Sequence, residues 1–113
     1  MYNYKMTIDN TDFHPGTFEE KAGKAASLLR AMSNERRLLI LCRLNSNEMS
    51  VSELLATTSL SQSALSQHLA VLRNDGLVET RREGQNIYYC LGDPAVARII
   101  EALVSIYCPE SMI

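Results

Sequence analysis

One stretch, SVSELLATTSLSQSALSQHLAVLRNDG from Ser50 to Gly76, restricts what this chain can become more than any other. Ser50 and Glu53 stand three residues apart, the spacing of a capping box in which each side chain satisfies a backbone N–H that the first helical turn leaves free. Val51, Leu54 and Leu55 give that short helix an apolar stripe. Thr57, Thr58 and Ser59 compete with the backbone for hydrogen bonds and favour a turn. Leu60 then returns to the core and Ser61 can cap a second helix. There Leu65, Leu69 and Leu72 recur at i, i+4 and i+7, which leaves Gln62, Ser63, Ser66, Gln67, Ala70 and Arg73 on the opposite side. Asn74-Asp75-Gly76 ends it. Two short helices joined by a tight turn make a helix-turn-helix.

The polar face of the second helix bears on function. Surface helices usually show Lys and Glu to solvent, whereas this one shows amides, hydroxyls and a small residue, with a single cation at its C-terminal end. Gln can pair bidentately with adenine, Ser can bond either kind of base-edge group, and Ala70 permits close approach. A helix-turn-helix would place these groups in a DNA major groove. The alternative is a merely polar helix on a small bundle.

At 113 residues the chain has the size of one domain, small enough that oligomerisation would help it. Apolar residues at 46% and charged residues at 21% predict a globular protein. With no apolar run of bilayer length and no signal-peptide pattern, the cytoplasm is the expected location and no membrane partner is expected. The formal charge of −2 argues mildly against nucleic acid, because affinity for DNA comes largely from cations that release counterions. Charge is uneven, however. Lys21, Lys24, Arg30, Arg36, Arg37 and Arg43 share one stretch with Glu35 as its only acid.

Residues 1–16 lack a steady period and close on His14-Pro15-Gly16, which predicts a flexible arm. Thr17 and Glu20 form a second capping-box spacing, opening a helix with a seam of Ala22, Ala25, Ala26, Leu29 and Met32. The helix starting near Asn34 holds Leu38, Leu39, Ile40, Leu41, Cys42 and Leu44, apolar almost all round, and is expected at the centre. After Gly76 the period changes. Leu77 to Arg82 and Ile87 to Leu91 are rich in β-branched and aromatic residues, with Glu83-Gly84-Gln85-Asn86 as the turn of a β-hairpin. A hairpin directly after a helix-turn-helix is a wing. Arg81, Arg82 and Gln85 fall near its tip, placed either to reach phosphates and a minor groove or to form a solvated turn with Glu79 and Glu83. Asp93 as N-cap and Pro94 at the first position open a last helix. Its apolar residues, Val96, Ile99, Ile100, Leu103, Ile106 and Tyr107, exceed what one face of a small domain needs. With the alanine seam, they point to a dimer interface.

The expected fold is mainly α with a β-hairpin wing, in the order α-α-α-α-β-β-α. The domain runs over 17–108, with dimerisation helices at both ends and a tail over 109–113. With AMSNERRLLIL, SQSALSQHLAVLRNDGLVETRREGQNIYY and a terminal helix ending in Tyr107-Cys108, the chain resembles the ArsR family of winged-helix repressors. That resemblance implies a homodimer on a pseudo-palindromic double-stranded operator, with one recognition helix per half-site. It also implies that Gln62, Ser63, Ser66, Gln67 and His68 face DNA. His68 is the exception in the helical wheel, where it falls at the edge of the leucine stripe and could pack instead.

Many ArsR-type proteins sense metals, and here the chain departs from them. A site before the turn would need cysteines where Met49, Val51 and Leu54 stand, and a site on the last helix would find only Asp93 and Glu101. No C-x-x-C or H-x-x-H spacing occurs, so neither a metal nor another cofactor is expected. Of the three cysteines, each taken singly reads as a small buried hydrophobe. Cys42 and Cys108 nevertheless match the pair that marks a dithiol, persulfide-sensing subgroup of the family. The resemblance therefore implies a switch: reduced protein binds and represses, an oxidised sulfur species such as a persulfide reacts at one cysteine, and the second closes a bridge that releases DNA. Cys90, which shares a strand face with Tyr88, reads as packing.

Two competitors remain. An antirepressor would displace a DNA-silencing protein. A small thiol enzyme would use Cys42 as nucleophile, but its helical neighbours Leu38, Leu39, Asn45 and Ser46 include no group to make it a thiolate. The reading-head assignment has a direct consequence. Gln67→Ala should weaken specific operator binding by roughly 1–3 kcal/mol with little change in stability, measured by anisotropy titration beside a thermal melt; unchanged affinity in a folded variant would move recognition elsewhere.

Overall fold

The computed structural model describes residues 15–108. Except for Pro15 and Gly16, the expected arm and the tail over 109–113 lie outside the described residues. The described chain runs α1 (Pro15–Met32), α2 (Glu35–Ser46), β1 (Met49–Ser50), α3 (Val51–Thr57), α4 (Gln62–Asn74), β2 (Val78–Glu83), β3 (Asn86–Leu91) and α5 (Pro94–Tyr107). It divides into two compact units after Arg30.

α1 begins at Pro15, two residues before the capping-box start expected at Thr17. Proline suits a first helical turn, since its φ is already helical and the N–H it lacks would have had no partner there. Ala22, Ala25, Ala26 and Leu29 are exposed along this helix.

In the second unit the caps act as the residue types require. Asn34 accepts hydrogen bonds from the N–H groups of Arg36 and Arg37 at 2.9 and 3.1 Å. Ser50 and Glu53 exchange both bonds of the capping box at the start of α3. Ser61 accepts from Ala64 at 3.1 Å and Asp93 from Ala95 at 2.9 Å. α4 closes in a Schellman arrangement: Leu77 N–H donates to Leu72 C=O and Gly76 N–H to Arg73 C=O, with Gly76 at φ 79°, a conformation cheap only for glycine. Leu72 and Leu77, which flank this turn, are both buried.

The core is wholly apolar among the described residues. Ile40, Leu41 and Leu44 of α2, Leu54 of α3, Leu65, Leu69 and Leu72 of α4, Val78 of β2 and Val96 and Ile100 of α5 are all buried. α2 packs against α3, α4, α5 and β3 and is the central helix, although Leu39 is 48% exposed rather than enclosed. No helix among the described residues is long and apolar enough to cross a membrane.

The hairpin forms as expected, with Glu83 opposite Asn86 and a two-residue turn in which Gly84 takes φ 64°. Glycine at the first turn position matches the twist of the flanking strands. The sequence reading missed β1. It pairs antiparallel with β3, Met49 opposite Tyr89 and Ser50 opposite Tyr88, giving a three-stranded sheet in the order β1-β3-β2. Two residues cannot show an alternation, so this strand exists only through its partner.

Gly92, at the exit from the sheet, donates its N–H to Leu77 C=O at 2.9 Å. A Cβ there would stand 2.8 Å from Glu79 Cγ, 3.0 Å from Gly76 O and 3.1 Å from Val78 C. Gly92→Ala should therefore destabilise the fold by about 1–3 kcal/mol, while Gly23→Ala, in open space on α1, should be neutral or stabilising by up to ~1 kcal/mol. Urea unfolding of the two variants beside the parent checks both signs.

Candidate nucleic-acid interface and thiol pair

α4 presents its polar residues as its periodicity requires. Burial of Leu65, Leu69 and Leu72 turns Gln62, Ser63, Ser66, Gln67, Ala70 and Arg73 to solvent, all of them exposed. Apart from a 3.4 Å contact between the Ser61 and Ser63 hydroxyls, their side chains make no hydrogen bonds among the described residues, so their donors and acceptors are available. Beside this face lies an open cleft of about 310 Å³, lined by Ser66, Ala70, Arg73 and Asn74 of α4 together with Val51 and Tyr89. Tyr89 was not singled out from the sequence, because its place beside α4 depends on how the sheet packs against that helix.

His68 stands apart from the other α4 residues. It is half-buried, and its charged form is disfavoured first by desolvation and then by Arg37 and Arg36 of α2. The structure thus sets it at the inner edge of the helix, near α2, instead of among the exposed amides.

The wing residues divide. Gln85 lies in the exposed two-residue turn. Arg82 is exposed and forms no side-chain hydrogen bond or ion pair among the described residues. Arg81 is engaged inside the chain. Its Nε donates to both carboxylate oxygens of Glu48 at 2.9 Å, its two terminal nitrogens reach Glu48 and Glu83, and its guanidinium stacks 4.7 Å from the centre of the Tyr88 ring. Glu48 is a residue the sequence reading did not select. It lies far from Arg81 in the chain, and its only signal was an acid directly before Met49.

The thiols occupy different settings. Cys42 of α2 and Cys90 of β3 are half-buried, and Cys108, which caps α5, is exposed. Burial pushes the Cys42 thiol up from its ordinary range, the nearby Cys108 pushes it further, and Arg43 offsets part of this. Cys42 and Cys108, distant in sequence, are therefore close enough to feel each other's charge. An open groove of about 540 Å³, formed by Ser33, Asn34, Glu35, Leu38 and Leu39, runs up to Cys42. No cluster of three or more His, Cys, Asp or Glu able to hold a metal ion occurs among the described residues.

The sequence profile of the bacterial regulatory protein arsR family matches residues 34–80. The transcriptional activator HlyU of Vibrio cholerae is 57% identical over 90 residues, 80% of this chain and 83% of that one. The biofilm growth-associated repressor of Agrobacterium fabrum is 45% identical over 93 residues, 81% of this chain and 80% of its own length. The solved structure of reduced HlyU from Vibrio cholerae matches with a TM-score of 0.78 at 55% identity, over 81% of this chain and 97% of that one.

The setting of His68 makes a pH dependence. Between its depressed native pKa and the roughly 6.5 of a free histidine, the unfolded state binds more protons, so its contribution to stability is full above that window and falls as pH drops through it. An NMR titration should place the His68 midpoint below that of a free imidazole, and His68→Gln should reduce the loss of stability on acidification.

Proposed function

Because the chain belongs to the arsR family of bacterial regulatory proteins, we propose that it binds a pseudo-palindromic operator as a homodimer, represses when reduced, and releases DNA when Cys42 and Cys108 become bridged. It is a transcriptional regulator and not an enzyme, as its relatives are. What supports the switch is the packing of α2, which carries Cys42, against α5, which Cys108 caps.

DNA reading falls to Gln62, Ser63, Ser66, Gln67 and Arg73, whose exposure on the second helix of a helix-turn-helix supports major-groove contact. Arg82 and Gln85 add contacts from the wing. His68, half-buried at the inner edge of α4, is less well placed to reach a base than the exposed residues of that helix. Dimerisation is supported by the apolar end of α5, where Ile106 is 65% and Tyr107 77% exposed.

The exposed Cys108 is the point of entry. Its thiolate attacks a persulfide, R–S–S–H, taking the outer sulfur and expelling R–SH, to leave a protein persulfide. Cys42 then attacks Cys108 Sγ itself, and the transferred outer sulfur leaves as hydrogen sulfide. Two thiols are oxidised to a disulfide, and the persulfide is reduced to one thiol and one hydrogen sulfide. A bridge between α5 and α2 acts on the helix against which α4 packs. Small shifts in the separation of two recognition helices weaken a site whose half-sites lie one DNA turn apart.

One relative is named a transcriptional activator, which favours antirepression as a second reading: on that reading the bound chain would displace a DNA-silencing protein. Transcription measured on naked and on silenced templates separates the two.

Cys42→Ser and Cys108→Ser should each bind operator as the parent does but fail to release it on treatment with a persulfide, while Cys90→Ser should release normally. Anisotropy with and without persulfide or peroxide, with mass spectrometry for the bridge, is the test. Loss of the response in Cys90→Ser would reassign the pair.

A further inference from the structure

The register of the sheet sets the two wing arginines on opposite faces. Arg82 shares its face with Val78 and Thr80 of β2, whose partners across the ladder are Leu91 and Tyr89, and Tyr89 lines the cleft beside α4. Arg81 lies on the other face, directly opposite Tyr88, and Tyr88 is in turn opposite Ser50 of β1. From β2 the Arg81 side chain crosses the Tyr88 ring and reaches Glu48, the residue that leads into β1. One side chain thus runs from β2 over β3 to the residue just before β1, and β1 leads directly into α3, the first helix of the helix-turn-helix.

Each contact demands a guanidinium. Glu48 receives it in a forked, two-oxygen arrangement, Glu83 takes a further N–H at 2.7 Å, and the planar group lies over an aromatic face. A lysine ammonium offers a point charge without the fork. With two carboxylates already in contact, Arg81 has little net charge left for a phosphate. Arg82, on the face toward α4, retains its own.

We propose that Arg81 is a positioning residue that, with Glu48 and Tyr88, clips the wing to the strand entering the helix-turn-helix, so that Arg82 and Gln85 are held at a set angle to α4 while Arg81 itself contacts no DNA. The proposal rests on the operator-binding reading above and deepens it by separating a contact residue from a residue that aims it. Glu48, an acid in a DNA-binding module, has its place for the same reason.

The test is operator affinity as a function of salt for the full chain and for Arg81→Ala, Arg81→Lys, Arg82→Ala, Glu48→Ala and the Glu48→Ala/Arg81→Ala pair, with melting curves to confirm folding. Arg82→Ala should flatten the slope of log affinity against log salt by about 0.9, the loss of one phosphate contact. Arg81→Ala should lower affinity severalfold with the slope unchanged, and Arg81→Lys should behave like it despite keeping the charge. Glu48→Ala should weaken binding by a similar factor, and the double variant should be no worse than either single one, as members of one unit are. A slope flattened by about 0.9 in Arg81→Ala, full affinity in Arg81→Lys, or tighter and more salt-sensitive binding in Glu48→Ala would each make Arg81 a phosphate contact and overturn the clip. If the unmodified chain showed no sequence-specific binding, the operator-binding reading would fall and the clip with it. Binding by the parent together with a flattened Arg81→Ala slope would sink the clip alone.

Discussion

The packing of one leucine stripe is the constraint on which the rest depends. Leu65, Leu69 and Leu72 go fully into the core formed by Ile40, Leu41, Leu44 and Leu54, and that burial alone decides which side of α4 faces outward. A leucine side chain taken out of water contributes roughly 1.5–3 kcal/mol, so rolling the helix to expose any of them would cost more than a surface polar contact returns. The amides and hydroxyls are thus held on the outside by what lies beneath them. His68 marks the edge of this arrangement, near enough to α2 to feel Arg36 and Arg37.

The sheet is the second level of organisation. β1 is only two residues long, yet it joins the start of α3 to the hairpin through β3. On one face of the sheet Val78 enters the core, and on the other Arg81 lies across Tyr88 to Glu48. Exposed ion pairs usually contribute little because solvent screens them and long side chains lose freedom. A forked pair stacked on an aromatic ring has less freedom to lose, and its value lies in fixing direction rather than in adding stability.

The thiols show how the same residue type is given different chemistry by its surroundings. Cys108 at the end of a helix is open to solvent, while burial and, less, the neighbouring Cys108 push the Cys42 thiol up from its ordinary range, with Arg43 offsetting part of this. A half-buried thiol beside an exposed one suits a pair in which one group meets the reagent and the other answers it.

Most of this architecture was legible in the sequence because its signals are local. Caps at Ser50, Ser61 and Asp93, the leucine period of α4 and the Gly76 and Gly84 turns each act within a few residues, where side-chain chemistry and backbone geometry decide the outcome without distant help. The start of α1 was misplaced by two residues because Pro15 and Thr17 both suit a helix opening. What lay beyond the sequence was long-range. β1 depends on β3, and the Arg81–Glu48 pair depends on a strand order that brings distant residues into one row. The expectation that Arg81 and Arg82 act together treated adjacent residues as equivalent, whereas a strand sends neighbours to opposite faces and only the assembled sheet says what each face meets. The sequence by itself determined the elements and the polar face of α4. The tertiary structure decided which charges are free, because a charge is spent or available according to the partners that folding brings to it.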